Sequence, residues 1–180
     1  MSRFIADHGG KKEHLALYMK LAIDMLRGLQ EVHSKGHCHR DIKPLNVFLT
    51  RGPSNDTMDL IAKLGDFGHA KEGQKAEENG FSFDKGTILY WSPERYDRFE
   101  GVEGVSYGPP GDVFGLGMII FEMFAKKRPF KPNKDASRGP RGPLPDWVYP
   151  TTQAVCYQML DPDIDKRPTC EEAIAAISAF

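Results

Sequence analysis

The chain has 180 residues, of which 40% are hydrophobic and 27% charged, a balance that is typical of a globular domain and excludes collagen-like and wholly disordered proteins. Lysine and arginine number 24 and aspartate and glutamate 25, so the net charge is −1. A charge this small gives no overall attraction to nucleic acid or to anionic membranes, and we expect neither as a partner.

The first predicted helix runs from residue 15 to residue 35. Its apolar side chains recur every four positions and form one stripe, made of Leu17, Leu21, Met25 and Leu29. Gly36 follows directly, and a glycine at this place is typical of a helix C-terminal cap.

A β-hairpin is predicted next. Two short apolar runs, 47–49 and 60–64, are separated by residues rich in glycine, proline, asparagine and aspartate, which favour a turn between two strands. Residues 71–85 are polar, charged and weakly patterned. This composition predicts a mobile surface loop.

The most apolar helix is predicted over residues 112–126. Its apolar side chains cover nearly every face, so we expect it to be buried along its length and to form the axis of the core. Residues 128–150 hold many prolines and glycines and predict irregular structure. Two closing helices are predicted near 151–160 and 169–180.

The cysteines and the N-terminus bear on the compartment. Cys38, Cys156 and Cys170 are far apart and form no C-x-x-C pair, so we expect neither a disulfide framework nor a zinc site. Residues 1–10 lack the apolar stretch of a signal peptide, and no apolar run in the sequence is long enough to span a bilayer. We therefore expect a cytoplasmic location, with the nucleus as the alternative.

Five motifs follow the first helix in order. They are HRDIKPLN at 39–46, DFG at 66–68, GT with SPE at 86–94, DVFGLG at 112–117 and DKRPT at 165–169. In this order and at these separations they resemble the catalytic loop, the metal-binding loop, the end of the activation segment, the central helix and the late arginine of eukaryotic protein kinases. The GT pair before SPE is similar to the Ser/Thr type of this family.

The resemblance implies a mainly α-helical fold, the C-terminal lobe of a kinase catalytic domain with short β-hairpins. It implies that this lobe spans residues 15–180, with an activation segment at about 66–94, and that residues 1–14 are a short segment at the end of the hinge region. No G-x-G-x-x-G precedes the first helix, and the 14 residues before Leu15 are too few for a five-stranded sheet. We therefore expect the N-terminal β lobe to be absent.

The resemblance also implies a set of site residues. Phosphoryl transfer needs an aligned hydroxyl group, neutralised phosphate charge and positioned metal ions. By resemblance Asp41 accepts or orients the proton of a substrate hydroxyl, and Lys43 contacts the transferring phosphate of ATP. Asn46 and Asp66 would hold Mg²⁺, because this hard cation prefers oxygen ligands. The implied substrate is a protein that carries serine or threonine.

Other motif residues are predicted to have structural roles. Glu94 and Arg167 are expected to form a buried bidentate ion pair, and Asp112 is expected to hold the backbone of the catalytic loop. His39 is predicted to be a packed core histidine rather than a base that transfers protons.

Regulation by phosphorylation is predicted from Arg40. An arginine directly before the catalytic aspartate resembles kinases in which a phosphate on the activation loop supplies a counter-charge. Ser82 is the candidate site for an upstream kinase, and an ordinary solvated serine is the alternative. Asp84 is expected to supply part of that negative charge, and Thr87 is not expected to be modified.

Three functions remain open at this point. The first is a serine/threonine protein kinase, with little activity in the isolated chain because the upper wall of the ATP cleft is missing. The second is a kinase-lobe pseudoenzyme that acts as a protein-binding scaffold or regulator. The third, a small-molecule kinase of the same fold, is disfavoured by the GT and SPE segments, which shape a peptide-docking surface in protein kinases.

Overall fold

Helices dominate the described part of the chain. The computed structural model describes residues 1–54, 59–72, 88–105, 107–130, 136–139 and 141–179. The helices are α1 (Ser2–His8), α2 (Leu15–Ser34), α3 (Pro93–Phe99), α4 (Pro109–Ala125), α5 (Pro150–Met159) and α6 (Cys170–Ser178). The strands are β1 (His37–Cys38), β2 (Val47–Arg51), β3 (Leu60–Leu64) and β4 (Lys71–Glu72). The predicted mainly α-helical class is confirmed.

Helix α4 is the axis of the core. Every residue from Gly111 to Phe124 is buried, which confirms the prediction from its apolar surface. The helix begins at Pro109, three residues before the predicted start, because proline lacks the N–H that the first helical turn leaves unpaired. It packs against α2 and α5. Gly117 permits the close approach of α5, since a Cβ at this position would lie 2.9 Å from the Cβ of Met159.

Helix α2 confirms the predicted apolar stripe. It packs against α4, α6 and β3, and its buried residues are Tyr18, Leu21, Ala22, Met25, Leu26 and Leu29. Burial of each leucine side chain contributes about 1.5–3 kcal/mol to folding. The helix ends at Ser34, and Gly36 takes the left-handed conformation with φ 75°.

Two small antiparallel sheets flank the helices. Strands β2 and β3 pair from Val47 opposite Leu64 to Arg51 opposite Leu60, which confirms the predicted hairpin. Strand β1 pairs with β4, with His37 opposite Glu72. The start of the predicted loop at 71–85 is therefore wrong, because Lys71–Glu72 forms this strand, and residues 73–85 lie outside the described residues. The β1–β4 pair joins the chain before the HRD motif to the chain after the DFG motif.

The ends of the chain pack onto the same core. Helices α5 and α6 confirm the two closing helices, and α6 begins with a capping box formed by Thr169 and Glu172. Helix α1 was not predicted, and it buries Phe4 and Ile5 in the core. Residues 128–130, 136–139 and 141–149 contain only the short 3₁₀ turn Ala136–Arg138 and are otherwise irregular, as predicted. None of the described helices has the length and hydropathy needed to cross a bilayer.

Candidate active site

Asp112 anchors the loop that carries the HRD motif. Its fully buried carboxylate accepts hydrogen bonds from the backbone N–H groups of His39 (2.7 Å) and Arg40 (2.8 Å) and from the hydroxyl of Tyr107 (2.8 Å). The ring nitrogen Nε2 of His33 lies 3.0 Å from the same carboxylate. These contacts confirm that the start of α4 holds the backbone just before Asp41.

A buried arginine supports the same loop from the side of α3. Arg95 donates from Nη1 to the carbonyl of Arg40, whose φ of 69° lies in the left-handed region. The guanidinium carbon of Arg95 lies 4.6 Å from the ring centre of Trp91 and 5.5 Å from that of Tyr107. Burial lowers the pKa of Arg95, while the neighbouring Tyr107 and Asp41 raise it. The sequence prediction missed this residue, whose one signal is its place directly after SPE.

Asp41, Lys43 and Asn46 form one buried cluster. The Nζ of Lys43 lies 2.8 Å from Oδ2 of Asp41, and Nδ2 of Asn46 donates to the same oxygen and to the Asp41 carbonyl, each at 2.8 Å. Burial alone would raise the pKa of Asp41. The hydrogen bonds from Lys43 and Asn46 and the charges of Lys43 and Arg95 outweigh burial and hold that pKa below its usual range.

The second oxygen of Asp41 is left without a partner. Oδ1 is buried and makes no hydrogen bond within the described residues. A buried carboxylate oxygen without a donor is costly, since such groups are nearly always paired. The cluster therefore leaves one anionic acceptor oxygen of Asp41 without a donor among the described residues.

Asp66 is connected to this cluster through the backbone of the preceding residue, Gly65, which contacts Asn46 and His39. The N–H of Gly65 donates to the carbonyl of Asn46 (3.0 Å), and the Gly65 carbonyl lies 3.1 Å from Nε2 of His39. The ring of Phe67 packs 5.0 Å from the ring of His39, which is fully buried as predicted. Asp66 itself is exposed, with φ 62° in the left-handed region. The DFG motif thus lies against the loop that holds Asn46.

Asp66 and Asn46 carry the type of oxygen ligand that a hard cation prefers. In the described residues neither the carboxylate of Asp66 nor Oδ1 of Asn46 takes part in a hydrogen bond, so both offer free oxygens. The described part of the chain contains no group of three His, Cys, Asp or Glu residues arranged for a metal. Mg²⁺ suits this sparse set, because it usually retains water and phosphate oxygens beside one or two protein ligands.

A shallow apolar groove lies beside the cluster. It has a volume of about 610 Å³ and lies between α1, the turn Pro44–Asn46 and the β2–β3 hairpin. Leu45 and Phe48 line it and are 63% and 54% exposed. Large apolar side chains are rarely this exposed next to one another without a partner, so the groove is a candidate surface for a planar apolar ligand.

Glu94 and Arg167 form the predicted structural ion pair. Nη1 and Nη2 of Arg167 donate to the two carboxylate oxygens of Glu94 at 2.8 and 2.9 Å. Arg167 also donates to the carbonyls of Asp161 (2.7 Å) and Pro110 (3.0 Å), so its guanidinium is largely satisfied. Of the remaining motif residues, Ser82, Asp84, Gly86 and Thr87 lie outside the described residues.

Similarity to known proteins extends along almost the whole chain. Residues 2–176 match the family model of the protein kinase domain. The chain is 31% identical over 173 residues to the serine/threonine-protein kinase BCK1/SLK1/SSP31 of Saccharomyces cerevisiae, a match that covers 88% of this chain and 11% of that protein. It is 33% identical over 184 residues to the eIF-2-alpha kinase GCN2 of Rattus norvegicus, covering 86% of this chain and 10% of that protein.

A third protein kinase matches the chain at a similar identity and over a similar share of its length. The chain is 31% identical over 179 residues to the eukaryotic translation initiation factor 2-alpha kinase 3 of Bos taurus, covering 89% of this chain and 14% of that protein. The chain thus spans a small fraction of the length of each of these relatives.

Proposed function

The chain belongs to the protein kinase family, and from this premise we propose that it is the C-terminal lobe of a serine/threonine protein kinase. The reaction is transfer of the γ-phosphate of ATP to a serine or threonine hydroxyl of a protein substrate. The observation that carries this proposal is the buried cluster of Asp41, Lys43 and Asn46, with one acceptor oxygen of Asp41 left without a partner.

Asp41 is the residue that would orient the nucleophile. Lys43 and Asn46 both bind Oδ2, which fixes the carboxylate and leaves Oδ1 to accept the hydrogen bond of a substrate hydroxyl. The depressed pKa of Asp41 keeps the carboxylate ionised near neutral pH. An ionised acceptor would align the hydroxyl oxygen for attack on the γ-phosphorus and take its proton as the new P–O bond forms. The bond between the γ-phosphorus and the bridging β-phosphate oxygen breaks in the same step, and ADP leaves.

The remaining residues would hold the nucleotide. Asn46 and Asp66 would bind Mg²⁺ through their free oxygens, and bound Mg²⁺ would neutralise charge on the phosphate oxygens. Lys43 would contact the transferring phosphate, next to the oxygen of Asp41 that it already binds. The groove at Leu45 and Phe48 would receive the adenine, because a planar apolar base gains most from an exposed aromatic side chain.

A second candidate function rests on the exposed apolar side chains. Leu45, Phe48 and Phe67 are all about half exposed or more at the edge of the cluster. Such a surface also fits the docking of another protein domain. In that case the chain would be a scaffold or regulator rather than an enzyme.

Phosphate transfer from Mg-ATP to a generic Ser/Thr protein substrate tests the proposal. The assay compares the 180-residue chain with the same chain carrying a kinase N-terminal lobe fused upstream. We expect little transfer by the chain alone, because the residues described form one side of a cleft and misalignment by about 1 Å costs about 100-fold in rate. We expect robust transfer by the fused form.

Two substitutions in the fused form identify the source of any activity. Asp66→Asn should abolish transfer, whereas Asp165→Asn, at an exposed carboxylate in the turn Ile164–Lys166, should leave it unchanged. Robust transfer by the chain alone that is lost in Asp66→Asn would contradict the expected inactivity. No transfer in any form would favour the scaffold or regulator.

A further inference from the structure

Five cations from two distant parts of the chain meet at the C-terminal end of α4. The N–H of Gly10 donates to the carbonyl of Met123 (3.0 Å), and a Cβ on Gly10 would lie 3.1 Å from the Cβ of Lys126. The connection between α1 and α2 therefore lies directly against the end of α4. We define the basic surface as Lys11, Lys12, Lys126, Lys127 and Arg128.

The lysines of the basic surface lack carboxylate partners. In the described part of the chain none of the four forms an ion pair, and three of them, Lys12, Lys126 and Lys127, are exposed. Arg128 is paired with Glu122, with 2.8 Å between Nε and Oε1. In the connection between α1 and α2, Glu13 is the one acidic residue. The surface therefore carries a positive charge that the described residues leave largely uncompensated.

Helix electrostatics explain only part of this arrangement. The negative end of the α4 dipole favours Lys126 and Lys127, which follow its last turn. Lys11 and Lys12 precede α2, and the positive N-terminal end of a helix disfavours cations. Repulsion among the four lysines, whose charges the described residues do not pair, adds a further cost. An anionic ligand would relieve both effects.

Arg128 connects the basic surface to the segment before α3. Glu122 accepts from Nε of Arg128 at 2.8 Å and from the hydroxyl of Tyr90 at 2.9 Å. The Arg128 guanidinium carbon lies 5.7 Å from the ring centre of Tyr90. Because both oxygens of the buried Glu122 are occupied and its charge is matched by Arg128, this carboxylate does not repel an anion at the surface.

Tyr90 lies in the part of the chain where a peptide substrate would bind. It stands two residues before the SPE motif, within the segment that shapes the peptide-docking surface under the proposed function. Burial and the neighbouring Glu122 raise the pKa of Tyr90, so its hydroxyl stays a neutral donor to Glu122. Under the proposed function, the contact of Arg128 with Tyr90 would therefore place the basic surface next to the substrate-binding edge.

We propose that the basic surface binds an acidic segment of the protein substrate, which places the kinase among those that select substrates by clustered aspartate and glutamate. The proposal rests on the proposed function for the identity of the partner as substrate. A protein segment is favoured over nucleic acid because the chain as a whole has a net charge of −1, which gives no overall attraction to a long polyanion. A short acidic segment meets only the local positive charge.

Fluorescence anisotropy of a labelled peptide tests the proposal. The probe is a peptide with one serine flanked by glutamates, measured at low salt and without ATP, and the reference peptide has glutamine in place of each glutamate. The double variant Lys12→Glu with Lys127→Glu takes one cation from each part of the basic surface. The matched control, Lys63→Glu with Lys166→Glu, reverses two exposed lysines on β3 and in the turn Ile164–Lys166.

We expect the glutamate peptide to bind, and binding to fall with added salt. The surface variant should bind about tenfold more weakly or worse, and the control variant should stay within about twofold of the unchanged chain. Equal binding of the glutamine peptide, or an equal loss in the control variant, would overturn the proposal. So would displacement of the peptide by an RNA of equal charge at lower concentration than unlabelled peptide, since the surface would then bind nucleic acid.

This test is independent of catalysis. Binding is measured without nucleotide, so acidic-peptide binding by a chain whose form with the fused N-terminal lobe transfers no phosphate would contradict the proposed function and leave the basic surface as a docking site. If the fused form is active but its peptide binding is unchanged by the Lys12→Glu and Lys127→Glu substitutions, the result would contradict the proposed role of the basic surface alone.

Discussion

At the scale of single residues, the candidate site depends on buried charges that are each tied to several partners. Asp41 is bound by Lys43 and Asn46, and Asp112 is bound by two backbone N–H groups, a tyrosine hydroxyl and a histidine. A buried charge with this many donors is stable only while every donor is present. The chemistry of the site therefore depends on residues that touch no ligand.

Substitution of Asp112 should expose this dependence. Asp112→Asn keeps the shape of the side chain but removes the charge and turns one acceptor oxygen into a donor that faces other donors. We expect the free energy of unfolding in urea to fall by about 3–5 kcal/mol. The exposed Asp146→Asn is the matched control and should change it by less than about 0.5 kcal/mol. Similar losses in both variants would contradict this interpretation of Asp112.

The three cysteines should be inert in the folded chain. Burial raises the pKa of Cys38, Cys156 and Cys170 from 9.0 to about 12, with the charge of Asp112 adding to the effect at Cys38 and Cys170. At pH 8 we expect no alkylation by iodoacetamide in native buffer and complete alkylation in guanidinium, as measured by mass spectrometry. Rapid native alkylation of any one thiol would show that its helix or strand opens.

The raised pKa values of the three thiols make the free energy of unfolding depend on pH. Because the folded-state pKa of each thiol exceeds its unfolded value, the folded chain holds these protons more tightly. This contribution to stability is complete below pH 9 and is lost progressively as the pH rises from about 9 towards 12. The variant Cys156→Ala should lose part of this alkaline sensitivity in urea titrations.

At the scale of elements, periodicity predicted the helices that are long and apolar and missed those that depend on tertiary contacts. Helix α4 was predictable because apolar side chains cover nearly every face of its sequence. The structure accordingly buries the fourteen successive residues from Gly111 to Phe124. Helix α1 was not, because its seven residues contain too few turns for a pattern, and it is stabilised where Phe4 and Ile5 meet the core. Strand β4 likewise exists through its pairing with β1.

Two glycines within helices give a matched test of packing. In Gly117→Ala the new Cβ would lie 2.9 Å from the Cβ of Met159, so α4 and α5 must separate. We expect a loss of about 1–3 kcal/mol in the free energy of unfolding. In Gly28→Ala the nearest atom belongs to Leu64 at 3.5 Å, an ordinary contact, so higher helix propensity should leave stability equal or raised by up to about 1 kcal/mol. The opposite order would refute the packing of α5 on α4.

At the scale of the whole molecule, the site is assembled by contacts between segments that are far apart in sequence. Asp41, Lys43 and Asn46 share one loop, and a motif in the sequence was enough to propose them as site residues; the structure adds that their side chains contact one another. Arg95 follows SPE without any periodic signal, and only folding shows that it reaches the carbonyl of Arg40. The sequence also could not predict the basic surface, because its two lysine pairs are separated by more than a hundred residues.

The pair of Glu94 and Arg167 joins residues 73 positions apart in the sequence, and it ties α3 to the segment before α6. Arg167 has no exposed side-chain surface, and it also donates to backbone carbonyls of Asp161 and Pro110. Arg167→Ala would leave the carboxylate of Glu94 buried and unpaired, so we expect a loss of about 3–5 kcal/mol in the free energy of unfolding.

Two further variants separate the bidentate geometry from charge alone. Arg167→Lys keeps the charge but supplies a compact ammonium instead of a planar fork, so it should recover only part of the loss. Arg138→Ala breaks the more exposed pair with Asp97 and should cost no more than about 1 kcal/mol, because solvent screens that pair. Urea unfolding of the three variants measures both comparisons. Full recovery by lysine would show that the charge of residue 167, rather than its two parallel hydrogen bonds, holds α3 in place beside the loop that carries the HRD motif.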